Sequence, residues 1–269
     1  MQAGTENRET TKYPLVFVHG AFIRDIAFLH SFGRIDRELR NLGYDVRVAQ
    51  TDAFGPIENN ADMLKKQVSD MVERENCGKV NIIAHSKGGL DARYYIENLG
   101  GDRTVASLTT LCTPHAGSPI ASGILRLPRW LLRIIAFWFN LVYRIFGDRN
   151  PDSLRVCKQL EKKEGGATNA VPIPGVYCQS FSSTVIKGAK KNDFVMRIPV
   201  AFSRYYEKGA ETDGLVPRDS AIFGEYRGDC IDGSVSHSEI VDFMTGKEKR
   251  KKIIAFYAEL CRGLSEKGL

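Results

Sequence analysis

One short run constrains this chain more than any other: Val80-Asn81-Ile82-Ile83, then Ala84-His85-Ser86-Lys87-Gly88-Gly89, then a helical pattern over Leu90–Leu99. It reads as a buried strand, a sharp turn carrying one serine, and a helix folded back on the strand. Small residues around the serine let strand and helix cross closely and push the hydroxyl outward at the sheet edge. Ala84 holds the first small position, where Gly is commoner. Ser31-Phe32-Gly33 repeats the Ser-x-Gly spacing without an apolar strand before it. Spacing alone therefore carries little, and the strand–turn–helix context decides.

The same alternation continues along the chain. Strand patterns fall at 14–18, 45–49, 79–84, 105–111, 175–181 and roughly 224–230, with helical patterns at 59–76, 87–99 and 247–263. Strands alternating with helices predict an α/β protein whose mostly parallel sheet is covered on both faces. With 269 residues, 43% of them apolar, one α/β domain over 1–269 suffices, interrupted by an insert at about 118–166.

A nucleophilic serine needs a base and an acid, and in this strand–turn–helix class they follow it in the order Ser, Asp/Glu, His. Of five histidines (19, 30, 85, 115 and 237), only His115 and His237 follow Ser86. His115 leaves too little chain after Ser86 for the strands that must carry the acid, and reads as a loop histidine. His237, in Gly233-Ser234-Val235-Ser236-His237-Ser238, sits on a small-residue loop before the last helix and is the expected base. Asp213, in Thr212-Asp213-Gly214-Leu215-Val216-Pro217, is the favoured acid, 24 residues before His237. Asp232 is the second choice; Asp193, Asp219 and Asp229 compete less well. At the other end, Tyr13–Val18 runs as a buried strand into His19-Gly20-Ala21. The main-chain amides of Ala21 and Lys87 are the expected oxyanion donors, and His19 is expected to hold the loop rather than act on substrate.

Taken together, YPLVFVHGA, VNIIAHSKGGLDARYYI, LTTLCTPHAGSP, TDGLVP and SHSEIVDF resemble the bacterial triacylglycerol lipases of the α/β-hydrolase superfamily, of the Pseudomonas and Burkholderia type. The resemblance covers both ends of the chain and only weakly 118–170. It implies the α/β-hydrolase fold with an inserted helical lid, Ser86, Asp213 and His237 as triad, and hydrolysis of acyl glycerides or similar apolar esters. A phospholipase or a short-chain carboxylesterase or acyltransferase is the alternative among enzymes. A catalytically silent lipid-binding relative is the alternative outside them. No cofactor is required for the chemistry. The resemblance also implies a structural calcium near the His237 loop, with Asp193 and Glu239 nearest the matching positions, although Glu239 stands where an aspartate is expected. Ala84 at the start of the serine turn departs from the larger lipases and matches the small Bacillus lipases.

The insert is dense in apolar residues between Ile124 and Phe146, yet Pro128 and the polar positions 126, 129, 133, 140 and 144 interrupt it too often for a bilayer span. Those positions form one polar stripe at helical period. They leave an apolar face of Leu131, Leu132, Ile135, Phe139 and Leu141–Val142, suited to an interface or to covering a pocket. Leu131, Leu132, Ile135 and Phe139 are the expected lining of an acyl site; an ordinary buried cap helix is the plainer alternative. The expected partners are a lipid or ester substrate and a lipid–water interface. The net charge of +6 is not spread as nucleic-acid binding requires. The basic run Lys247–Lys252 reads as a solvated face, with contact to anionic lipid second. Six cysteines show no metal spacing, and Cys178–Cys230 is the one bridge weighed for an exported chain. Met1–Thr11 lacks a signal-peptide pattern, so the expectation is a cytoplasmic or membrane-peripheral protein, or a secreted one whose leader was removed.

Overall fold

The computed structural model describes residues 10–22, 25, 30–162, 173–186, 196–206 and 209–269. Six strands, β1 (Leu15–Val18), β2 (Val46–Val48), β3 (Val80–His85), β4 (Val105–Leu111), β5 (Tyr177–Ser182) and β6 (Glu225–Asp229), form one sheet. Its order is β2-β1-β3-β4-β5-β6, and every neighbouring pair is parallel. The helices are α1 (Ile35–Asn41), α2 (Ile57–Glu75), α3 (Lys87–Asn98), α4 (Pro119–Leu125), α5 (Arg129–Ile145), α6 (Ser153–Gln159), α7 (Arg197–Tyr206) and α8 (Lys247–Glu266).

Alternation within β1 explains the layering. Leu15 and Phe17 point into one core with α1 and α8, where Leu39, Tyr257 and Leu264 are buried. Val16 and Val18 point into the other, with Leu64 and Val68 of α2 and Ala92, Tyr95 and Ile96 of α3. Strands buried on both sides read as continuous apolar runs, as parallel sheets require. Cys178 belongs to the second core and Cys230 to the first. Sheet and core therefore separate the bridge weighed from sequence, and both thiols are free.

The strand order reverses between β1 and β3, and open α/β sheets bind ligands beyond the carboxyl ends of their strands at such a point. Ser86 follows β3 there, beside the loop that leaves β1. Between β4 and β5 the chain departs to build α4, α5 and α6. Pro128 stands at the N-cap of α5 and Arg126 at the C-cap of α4, so Arg126 lies before α5, not on one continuous helix from 124 to 146. The end of the expected insert, 163–166, lies outside the described residues. No described helix is long and apolar enough to cross a membrane.

Candidate active site

Ser86 has φ 54° and ψ −132°, a conformation that costs an L-residue on the order of 1–3 kcal/mol and persists only where its surroundings enforce it. The Ser86 amide donates to the Leu111 carbonyl at 2.9 Å, and the Ser86 carbonyl accepts from the Gly89 amide at 3.0 Å. Two glycines make room. A Cβ on Gly20 would lie 2.6 Å from that of Ser86, and one on Gly88 would collide with the carbonyls of Val18 and His19. The glycine of the His-Gly pair after β1 is thus a steric requirement of the serine turn.

His237 follows β6 and Asp213 follows β5, and the structure brings both to Ser86. His237 Nε2 lies 2.8 Å from Ser86 Oγ, and His237 Nδ1 lies 2.7 Å from Asp213 Oδ2. A carboxylate only accepts, so Nδ1 carries the proton and Nε2 is left to accept from the serine hydroxyl. Asp213 Oδ1 accepts from the amides of Leu215 and Val216 at 2.9 and 2.8 Å. The His237 amide donates to the Asp213 carbonyl at 3.1 Å. Main chain as well as side chain therefore registers the acid loop on the base.

The competing residues go elsewhere. Asp229 pairs with Arg218 at 2.7 Å, Asp219 accepts from the Ser220 amide, and Asp232 is exposed. Asp193 lies outside the described residues. His115 packs against Phe223 with ring centroids 4.7 Å apart and meets Thr110 Oγ1 at 3.2 Å; burial pushes its pKa down to about 3. His19 Nδ1–H donates to the Gly20 carbonyl at 2.8 Å, which leaves Nε2 to accept from Thr51 Oγ1 at 3.3 Å.

Lys87 is the first residue of α3, so its amide is one of the first-turn donors without an intrahelical acceptor. Ala21 lines the same cavity as Ser86 and His237. The Lys87 side chain turns inward, and its Nζ donates to both Asp91 oxygens at 2.8 Å. Asn60 Nδ2 donates to Asp91 at 2.9 Å and to the Asp52 carbonyl at 2.8 Å. Burial raises Asp91 to about 6, against the pull of Lys87 and Asn60.

Ser86 and His237 open on a cavity of about 220 Å³ walled almost wholly by apolar side chains, including Leu132, Ile135 and Phe139 of α5. That is below the roughly 300–1,000 Å³ of pockets for larger ligands and suits a single chain. Leu131 does not line it, and Leu141 and Val142 are exposed. The face that α5 turns to the cavity is therefore narrower than its sequence pattern suggests. Phe54 joins α5 to the body, with ring centroids 5.1 Å from Phe139 and 4.5 Å from Tyr143. Beyond α5, two carboxylates cross over. Asp148 accepts from the amides of Ala53 and Phe54 at 3.0 and 2.9 Å, and Asp52 from those of Arg149 and Asn150 at 2.9 and 2.8 Å.

Glu239 does not fit the expected cation. Its carboxylate accepts from Lys249 Nζ at 2.6 and 2.7 Å and from the Ser236 amide at 3.0 Å. An ammonium thus stands where an ion would have to bind. The neighbouring Arg250 pairs with Asp242 at 2.7 Å, so two members of the basic run brace the His237 loop instead of facing solvent.

Sequence reasoning missed this bracing, and it missed His85. The His85 ring lies 4.6 Å from that of His237, and its Nε2–H donates to the His237 carbonyl at 3.1 Å. Burial, with His237 alongside, holds it neutral, well below the ordinary histidine range. Its place next to Ser86, as the last residue of β3, was the available signal.

An all-parallel sheet with a strained serine at its switch point, and an aspartate and a histidine on the loops after its last two strands, β5 and β6, is the arrangement of the α/β-hydrolase fold. A lipase of Staphylococcus hyicus matches with a TM-score of 0.68 at 15% identity, over 98% of both chains. The mature Bacillus licheniformis lipase matches with a TM-score of 0.66 at 18% identity, over 96% of both. In sequence, the chain is 26% identical to the triacylglycerol lipase of Pseudomonas fragi, over 96% of this chain and 98% of that one. It is 27% identical to triacylglycerol lipase 2 of Saccharomyces cerevisiae, over 87% of this chain and 73% of the yeast protein. The profile of the palmitoyl protein thioesterase family matches residues 14–145. The chain is thus a relative of the triacylglycerol lipases, and its enzyme class is carboxylic-ester hydrolase.

Proposed function

We propose that this protein hydrolyses acyl glycerides or similar apolar esters by a serine mechanism. The Ser86 hydroxyl attacks the ester carbonyl as its proton passes to His237 Nε2, and Asp213 stabilises the imidazolium that forms. The amides of Ala21 and Lys87 hold the oxyanion. Collapse of the tetrahedral adduct expels the alcohol, which takes the proton from His237 and leaves Ser86 acylated. Water then repeats the sequence, giving its proton to His237, and releases the acid with the Ser86 hydroxyl restored. The acyl chain occupies the cavity under α5.

The observation that carries this reading is the continuous Ser86–His237–Asp213 hydrogen-bonded relay at the mouth of an apolar cavity. A catalytically silent lipid binder has no use for it. An acyl thioester is the second reading, favoured by the thioesterase profile, whose match includes β1, Ser86 and α5; kcat/KM for a palmitoyl thioester against the oxygen ester separates the two. The primary test is a fluorophosphonate probe. It should label the wild type at Ser86 and not the Ser86→Ala variant, whose ester hydrolysis should fall by several orders of magnitude. Retention of more than a few per cent of activity would remove Ser86 from the mechanism.

A further inference from the structure

Helix α5 is apolar on two opposite sides, and only one is used. Leu132, Ile135, Ala136 and Phe139 face the cavity. At about 100° per residue, Trp130, Ile134, Phe137, Trp138, Leu141 and Ile145 project the other way. They are bare: Trp130 is 65% exposed, Trp138 60% and Ile145 75%. Arg129, Arg133 and Arg144 flank this outer face, Arg126 stands just before it, and no acidic residue occurs from Pro119 to Gly147.

We propose that the outer face of α5 is a docking surface for an anionic phospholipid bilayer, on which the helix lies flat. Tryptophan favours the interfacial region of a bilayer, and arginine beside it gains from negative headgroups. The arginines select among occupants. A neutral droplet offers them nothing. A second copy meeting this face about a two-fold axis would bring two sets of arginines together with no acid between them. Nor does docking require α5 to leave the site, because its outer side points away from the cavity. The crossed carboxylates of Asp52 and Asp148 tie the chain just beyond its end to the body. The surface is a platform on the far side of the helix that covers the active-site cavity. The proposal deepens the lipid-ester reading by naming the partner of that site, and binding is measurable without catalysis.

Trp130 and Trp138 are the chain's only two tryptophans, so intrinsic fluorescence reports α5 without a label. The full chain is titrated with phosphatidylglycerol–phosphatidylcholine vesicles and with pure phosphatidylcholine vesicles, with flotation as a second readout. Anionic vesicles should shift the emission to the blue, lipids with brominated acyl chains should quench it, and added salt should weaken binding. Replacing Arg129, Arg133 and Arg144 by Gln should weaken binding roughly 100-fold, at about fivefold per arginine. Ile134→Ser with Phe137→Ser keeps both reporters and should abolish the blue shift. Both variants should hydrolyse soluble p-nitrophenyl butyrate within about twofold of wild type. Equal affinity for neutral and anionic vesicles overturns the proposal. So does a blue shift that grows with protein concentration without lipid, which would assign the face to a second copy. Vesicle binding without butyrate hydrolysis would sink the esterase reading and leave the docking surface standing; the converse would do the reverse.

Discussion

The serine site and helix α5 meet at one cavity but are built by opposite means. At the site every functional group is held from several directions. Asp213 is fixed by His237 and two amides, His237 by Asp213 and the His85 ring, and Ser86 by a strained backbone under Gly20 and Gly88. Helix α5 is held chiefly by rings and by Tyr143 Oη donating to the Phe22 carbonyl, with half its circumference in solvent. Charge development in a transition state needs donors and acceptors that do not reorganise. An acyl chain needs only apolar wall, which tolerates variation. In the proposed mechanism, position is therefore enforced where a proton would move, and composition where an acyl chain would lie.

The largest effect belongs on the rigid side. Asp213→Asn should lower kcat by about 10⁴-fold, because an amide opposite Nδ1 favours the wrong histidine tautomer. Asp232→Asn, on an exposed loop residue, should stay within about twofold. Comparable losses in steady-state assays of the two purified variants would break the contrast and move the acid to the last loop.

The convergence of Ser86, Asp213 and His237 was legible because each lies on a loop after a strand, and parallel strands deliver their carboxyl ends to one edge. All six strands could be placed to within a residue or two for the same reason, as apolar runs bounded by turns. The supports were not legible. The Asp52–Asp148 crossing and the Glu239–Lys249 pair join segments whose proximity only the folded chain creates. Helices α1, α4 and α6, at two turns each, give too little periodicity to read. For α5 the sequence revealed the polar stripe but not the packed side. A helix apolar on two faces has two equivalent solutions, so the sequence pattern places Leu131 with Leu132, Ile135 and Phe139 although it does not line the cavity. Pro128, fixing the helix start, was the clue that detached Arg126 from the stripe.

On the loosely held side, Leu132→Ser, Ile135→Ser and Phe139→Ser together strip the cavity wall, each side chain being worth roughly 1.5–3 kcal/mol when fully buried. Hydrolysis of emulsified long-chain ester should fall about 10- to 100-fold, since only part of that area contacts substrate. Butyrate hydrolysis should change by no more than several-fold. Parallel loss of both activities with an unchanged circular dichroism spectrum would mean that α5 also positions the relay, and the division between the two regions would fail.

The smallest effect concerns stability, and it asks whether the rigid region is also the one that acid attacks. His115 is buried beside Phe223 and titrates near 3 when folded, against about 6.5 when unfolded. The unfolded chain therefore binds one more proton between those values. Stability from this group is complete above pH 6.5 and drains as pH falls toward 3. His85, held neutral by burial, acts in the same direction. Asp91 opposes them: raised to about 6, it binds a proton when folded that the unfolded chain has lost, so its effect is to lower stability as pH rises from about 4 to 6. His115→Phe keeps a ring against Phe223 and removes one titration. Urea unfolding from pH 6.5 to 4 should then show a slope shallower than wild type by about 1.4 kcal/mol per pH unit, the value for one proton. Identical slopes would mean that His115 is protonated while still folded and contributes nothing to acid sensitivity.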